Sequence, residues 1–254
     1  METKFKKILA VIDLAAENDN ASPTLFSSKT NITLEDKYAF EEWAEKPVEC
    51  IKEFLSPAWA KKQIVYNPFV NDRIPGPTSI IFSKFDESDK PAIFFQLEDT
   101  IYGQVMIAST DRGICYLVFF NGTESNAHGI LEKEFPNSKI TCGLTEHHNT
   151  ALSYIRGEHN GVVKLHVKGT PANLDIWKAL TLVPSGKLIS YGTLAKATHQ
   201  MAQDIGISMG DNRIAILIPC HRVIKSTGDL GQYHWGTKRK RAMIIKEAFT
   251  KKPA

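Results

Sequence analysis

The chain has 254 residues, 43% of them hydrophobic and 23% charged, with a formal net charge of +3. At about 150 residues per domain this length suggests two domains, and the composition excludes a mainly disordered or collagen-like chain. No apolar run approaches the ~20 residues that cross a bilayer, which excludes a membrane-spanning helix and makes a membrane partner unexpected.

The N-terminus pairs a basic start with the short apolar run Ile8–Ile12. That run is too brief for a signal peptide and no cleavage site follows, so it reads as mature chain. Asn18 to Asn31 is polar. Leu34 to Ala60 carries Tyr38, Phe40, Trp43, Val48, Ile51, Phe54 and Leu55 at helical spacing, broken by Pro47 and Pro57, which predicts two short helices. Pro68, Pro75 and Pro77 mark an irregular connector, so residues 1–90 read as an N-terminal extension.

The pattern changes near Ala92. Ile93–Leu97, Gln104–Ala108 and Ile114–Phe119 predict three strands with turns at Tyr102-Gly103 and Asp111-Arg112-Gly113, a β-meander. Helices near Ala127–Phe135 and His147–Arg156 and a strand at Val163–Val167 complete a small α+β unit over residues 91–168. Residues 169–254 are mostly helical. Leu174, Ile176, Trp177 and Leu180 share one helix face, and short helices follow at Tyr191–Thr198 and Ala202–Met209. Ile214–Ile218 is a very apolar run, and a last helix covers Thr237–Phe249. The two short helices permit a helix-turn-helix.

Charge is unevenly spread. Gly186 to Ala254 holds 12 Lys and Arg against 4 Asp and Glu, while the preceding residues hold 19 against 24. A basic C-terminal third points to a polyanion, most simply nucleic acid. The plainer alternative is a solvated tail, because Lys238-Arg239-Lys240-Arg241 supplies half of that excess. Cys50, Cys115, Cys142 and Cys220 form no CxxC pair, which fits a reducing cytosol. Cys142 and His147-His148 make no zinc pattern and read as surface residues, so no metal is expected.

The informative stretch is Pro219-Cys220-His221-Arg222-Val223 after the apolar run. A thiolate is the nucleophilic form of cysteine, and adjacent His or Arg favours it. Standing alone, such a cysteine is as readily a small buried hydrophobe. The run resembles the active-site motif of the O6-alkylguanine-DNA alkyltransferases, the methylated-DNA–protein-cysteine methyltransferases. The flanks agree. Asn212 lies eight residues upstream of Cys220, and Gly228-Asp229-Leu230-Gly231-Gln232-Tyr233-His234-Trp235-Gly236 before Arg239-Lys240 is similar to the family's segment after the cysteine. Trp177–Leu180, Val183–Gly186 and Ser190–Ala195 are similar to the part preceding its DNA-binding motif. The strands around Asp111–Cys115 resemble the ribonuclease-H-like half of Ada-type members, and the resemblance covers about Ile93 to Phe249.

The resemblance implies a fold class of α+β: a ribonuclease-H-like α/β domain followed by a winged-helix, helix-turn-helix DNA-binding domain. It implies single-turnover repair, in which Cys220 takes an alkyl group, chiefly methyl, from O6 of guanine, with O4 of thymine as an extension. His221 would act as base through a water, oriented by Glu247. Tyr191 would help turn the nucleotide and protonate the leaving guanine, and Asn212 would brace the turn into the active-site run. Met209, Tyr233, His234 and Val223 would line the guanine pocket. Gln203, Tyr191 and Arg222 would lie toward DNA, with a structural salt bridge as the alternative for Arg222. No cofactor is implied. The partner would be double-stranded DNA containing O6-alkylguanine, the protein a monomer, and the compartment the cytoplasm, or the nucleus in a eukaryote.

Two departures from the family stand out. Gln203 occupies the place of an arginine that fills the gap left by the flipped base, and Asp204 follows it. From His199 to Asn212 there is no Lys or Arg, while Asp204 and Asp211 would repel phosphates. Ala172-Asn173 replaces a usual Phe-Gln, which predicts a cavity or repacking. These departures raise the alternatives of an alkylated-DNA binding protein or a weak alkyltransferase. A transcription regulator lacks support in the absence of a four-cysteine cluster. A cysteine hydrolase is disfavoured because adjacent Cys and His side chains point apart.

Overall fold

The computed structural model describes residues 57–64 and 80–249, apart from 87, 89, 101, 159 and 160. The readings of Ile8–Ile12, Asn18–Asn31, Pro68–Pro77 and most of Leu34–Ala60 lie outside these residues.

Three strands form the expected meander: β2 (Ile93–Thr100), β3 (Gly103–Thr110) and β4 (Gly113–Phe119). β3 is antiparallel to both neighbours, with an irregularity between Ala108 and Ser109. Around them the sheet extends to six strands in the order β1-β6-β4-β3-β2-β5, with β1 at Ile80–Lys84, β5 at Ile140–Cys142 and β6 at Val163–Val167. β1 and β5 are additions to the sequence reading. β1 lies parallel to β6, inside the stretch expected to be an extension. All seven residues of β4 are buried, as in a central strand covered on both faces. Gly113 has φ +147, and a Cβ there would lie 2.4 Å from the Lys164 carbonyl oxygen, so the close approach of β4 to β6 needs glycine.

Alternation along β3 builds two cores. Met106 and Ala108 face Phe95, Tyr116 and Leu131 of α2 (Glu124–Glu134). Val105 and Ile107 face the other way, with Leu152 and Ile155 of α3 (Glu146–Arg156). This second core continues without a break through Trp177 and Ile205 to Cys220. Each fully buried Leu, Ile or Val there contributes roughly 1.5–3 kcal/mol. His148, read as a surface residue, is instead fully buried. It sits in the first turn of α3, where its N–H donates to the Thr145 hydroxyl and its Nδ1 accepts from the Thr145 N–H, a reciprocal cap. Cys142 is exposed, as expected.

The helical part begins with α4 (Pro171–Thr181), capped by the Thr170 hydroxyl and opened by Pro171. Then follow β7 (Ile189–Ser190), α5 (Tyr191–Ala197), α6 (Ala202–Asp211), a 3-10 turn at Cys220–Arg222, β8 (Val223–Ile224) and α7 (Thr237–Phe249). β7 and β8 pair in parallel. α5 and α6 form the expected helix pair. α1 (Pro57–Lys62) lies upstream, and Ile64 just beyond it bridges to Leu188. The α+β fold class therefore holds, with a mixed sheet joined to a helix-turn-helix unit.

Candidate active site

The segment before Cys220 is anchored to the sheet. Ala215 N–H donates to the Leu117 carbonyl at 2.6 Å, and Leu117 N–H donates to the Arg213 carbonyl at 2.8 Å. β4 thus pairs with β6 near its start and with the active-site run near its end. The run is a succession of tight turns: Leu217 N–H donates to Ala215, Ile218 N–H to Ile214 and Cys220 N–H to Ile218. Ile216 sits at φ +68, rare for a β-branched residue, so the turn is strained beside the cysteine.

Asn212, at the end of α6, is fully buried and holds this run together. Its Nδ2 donates to the Ile218 carbonyl at 3.1 Å and to Cys220 Sγ at 3.2 Å, while its Oδ1 accepts from Ile214 N–H at 2.8 Å. Cys220 is 3% exposed. Burial pushes its thiol up, opposed by the Asn212 hydrogen bond, the charge of Lys240 and the Tyr233 hydroxyl. Tyr191 and Tyr233 both feel the cysteine. Burial first, then Cys220, raises each phenol, so both stay protonated at neutral pH.

Behind the cysteine lies a buried ionic network. His221 Nε2 lies 2.7 Å from Glu247 Oε1. Arg222 grips the same carboxylate with two bonds of 2.9 Å, and Gly186 N–H donates to Oε2 at 3.2 Å. Arg222 also donates to the Val183 carbonyl at 2.5 Å. Burial works against the charge of Glu247, but Arg222 and then His221 hold its carboxyl well below the usual range. For His221 burial dominates over Glu247, and its pKa falls. An imidazole neutral at pH 7 with Nε2–H toward the carboxylate keeps its lone pair on Nδ1. That atom is buried without a hydrogen-bond partner among the described residues.

Cys220, Asn212, Tyr191, Tyr233, His221, Arg222 and Glu247 are thus gathered into one region. Val223 is buried in β8, Met209 packs partly buried on the main core, and His234 is exposed with its ring 5.0 Å from Trp235. Gln203 stands apart, exposed near the start of α6. The acids have other partners than phosphate. Asp204 Oδ2 accepts from Met201 N–H at 3.2 Å, capping α6, and Asp211 Oδ2 accepts from Asn173 Nδ2 at 3.2 Å. Where a cavity or repacking is predicted, buried Asn173 makes that bond, while Trp177 packs on Gly169 and donates to the Ser208 carbonyl at 3.0 Å.

Sequence reasoning gave Lys240 no role beyond its place in the resembling segment, yet it is 1% exposed. The signal was helical spacing: Lys240, Met243, Ile244 and Glu247 share one buried face of α7. Nor is the basic run simply a solvated tail, since Arg239 lies 4.1 Å over the Phe119 ring.

Fold and site define a two-part protein in which the buried Cys220 lies behind a helix-turn-helix. Residues 171–249 match the family model described as "6-O-methylguanine DNA methyltransferase, DNA binding domain". The chain is 39% identical over 168 residues to a methylated-DNA–protein-cysteine methyltransferase of Candida albicans, covering 61% of this chain and 96% of that one. It is 26% identical over 212 residues to the bifunctional transcriptional activator/DNA repair enzyme Ada of Escherichia coli, covering 76% of this chain and 59% of that one. The crystal structure of Mycobacterium tuberculosis O6-methylguanine methyltransferase is similar with a TM-score of 0.52 at 29% identity, covering 64% of this chain and 96% of that one. The chain belongs to the methylated-DNA–protein-cysteine methyltransferase family. It spans 59% and 51% of the Ada proteins of Escherichia coli and Salmonella typhimurium.

Proposed function

We propose that this protein repairs alkylated DNA by moving one alkyl group from O6 of guanine to Cys220, once per molecule. The observation that carries the reading is Asn212 donating to Cys220 Sγ while His221, the next residue, is locked to Glu247. His221 Nδ1 takes the thiol proton through one water molecule. The Cys220 sulfur attacks the alkyl carbon, the carbon–O6 bond breaks, and its electron pair passes to the guanine. The Tyr191 phenol supplies the proton that completes the leaving base and is reprotonated from His221 through solvent. Asn212 holds the sulfur in place, and Arg222 keeps Glu247 ionised so that Glu247 can orient the imidazole. Tyr233, Met209, Val223 and His234 line the guanine side.

The substrate is O6-alkylguanine in duplex DNA, presented by α5 and α6, with Gln203 toward the groove. The protein acts as a monomer in the compartment that holds that DNA. Among the described residues no helix is long and apolar enough to cross a membrane. Residues 80–168 form the sheet unit and 169–249 the DNA-binding unit. A sulfur poised in this way favours transfer over mere binding of damage. Excess duplex carrying one O6-methylguanine tests the reading. Restored guanine should plateau at one equivalent per protein and vanish in Cys220→Ala. Continued turnover, or none by folded protein, would refute it.

A further inference from the structure

Duplex DNA carries its charge on phosphates, and holding it takes Lys and Arg side chains that reach solvent. The exposed face of α6, with Gln203, Gly206, Ile207 and Gly210, has none. Within the basic run, Lys240 is buried and Arg239 stacks over Phe119. The contact that α1 makes with the DNA-binding unit brings other cations together. Pro57, at the start of α1, lies against the Lys225–Asp229 turn, where its carbonyl leaves no room for a Cβ on Gly228. In that turn Lys225 N–H donates to the Asp229 carbonyl at 2.9 Å and Gly228 N–H donates to the Lys225 carbonyl at 3.0 Å. Beyond the other end of α1, Leu188 N–H donates to the Gln63 carbonyl at 3.0 Å, and Ile64 bridges to Leu188. Ala60 and Ile64 pack with Leu188, Ile224 and Ile244 beneath. This seating leaves Lys61 and Lys62 exposed just before Gln63, with exposed Lys187 just before Leu188 and exposed Lys225 at the head of the turn beside Pro57. The acid of that turn, Asp229, is occupied by the Thr227 hydroxyl, which donates to its Oδ2 at 2.7 Å.

We propose that α1 is part of the duplex-binding surface, where Lys61 and Lys62, together with Lys187 and Lys225, form a basic flank that takes the phosphate backbone beside the stretch engaged by α6. The inference rests on the reading that this chain acts on duplex DNA. Lys61 and Lys62 lie outside residues 171–249, the part that matches the DNA-binding family model, so the flank extends the surface with residues from upstream. The work is then divided. The uncharged face of α6 fits the groove, while the flank supplies attraction that depends neither on base sequence nor on damage. The upstream segment is held in place by the apolar contacts under α1, so its lysines meet the phosphates already positioned.

The test has two arms. In the unsubstituted full chain, acetic anhydride labels exposed lysines, and peptide masses report each rate with and without saturating duplex carrying one O6-methylguanine. Lys61, Lys62, Lys187 and Lys225 should be protected by the duplex, while Lys84 and Lys164, exposed on the sheet unit, should label as before. In the second arm, duplex affinity is followed against salt for the double variant Lys61→Gln, Lys62→Gln. Its log–log slope should flatten by about 1.8, or about 0.9 for each lysine that holds a phosphate. The control pair Lys84→Gln, Lys164→Gln should keep the slope. Lys61 and Lys62 labelled equally fast with and without duplex, or an unchanged slope in the folded double variant, would overturn the proposal and leave the repair reading standing. The labelling arm needs no substitution, so a folding defect in the variant does not blunt the test. Failure of methyl transfer by a protein whose flank lysines are protected would refute the repair reading alone.

Discussion

Glu247 accepts four hydrogen bonds, two from Arg222 and one each from His221 and Gly186, and at 7% exposure it has little water to fall back on. Glu247→Gln leaves the Arg222 charge buried without its counter-ion, so chemical denaturation should show a loss of about 3–5 kcal/mol. The same network sets the pH behaviour. The folded pKa of Glu247 is depressed below 4.5, so the unfolded chain binds the proton first. Its stability is present above about pH 4.5 and lost as pH falls toward the folded value. His221 is also depressed, from 6.5, because burial opposes its charged form. The unfolded imidazole protonates first, so stability drains as pH falls below about 6.5. Denaturation midpoints should soften as pH falls below 6.5 and drop steeply below 4.5. A midpoint that stays flat down to pH 5 would contradict the buried neutral imidazole. At this scale the motif was legible through resemblance: Cys220 beside His221 after an apolar run was ambiguous alone, and the flanking residues, Asn212 among them, carried the family likeness. The burial of Lys240 was not legible, because a lysine inside a Lys-Arg run reads as solvated until the helix phase is followed.

At the scale of elements, α6 presents Gln203, Gly206, Ile207 and Gly210 as an exposed face without charge. Asp204 is turned back on the helix start, where it serves the free N–H groups. Asp204→Ala should therefore cost about 1 kcal/mol in thermal unfolding and leave the salt dependence of DNA binding unchanged. A marked gain in affinity would show that the carboxylate was repelling phosphates. Gln203→Arg should tighten duplex binding and steepen its dependence on salt by roughly 0.9 in log–log slope. The meander was readable because Gly and Asp-Arg-Gly turns separate strongly apolar runs. β1 and β5 were not, since five and three residues among Pro, Gly and polar neighbours carry too little period to register. Their strand character comes from pairing with β6 and β2, which is a tertiary effect.

For the whole molecule, one continuous core joins the sheet to the cysteine, and a second contact reaches it from upstream. Ala60 and Ile64 pack with Leu188, Ile224 and Ile244. A Cβ on Gly228, at φ +99, would lie 1.9 Å from the Pro57 carbonyl oxygen. Gly228→Ala should thus destabilise the chain by at least about 1 kcal/mol and expose the segment around residue 64 to protease. No local pattern announced this contact, because it brings the start of α1 against a glycine turn more than 160 residues later.

The central claim is that Cys220 is the acceptor. The most direct measurement is the mass of the peptide containing Cys220 after incubation with duplex bearing a single O6-methylguanine. A gain of one methyl on Cys220, saturating at one per protein, is the predicted result. A folded protein that restores guanine with the methyl on another residue, or leaves the Cys220 peptide unmodified at saturation, would contradict the account.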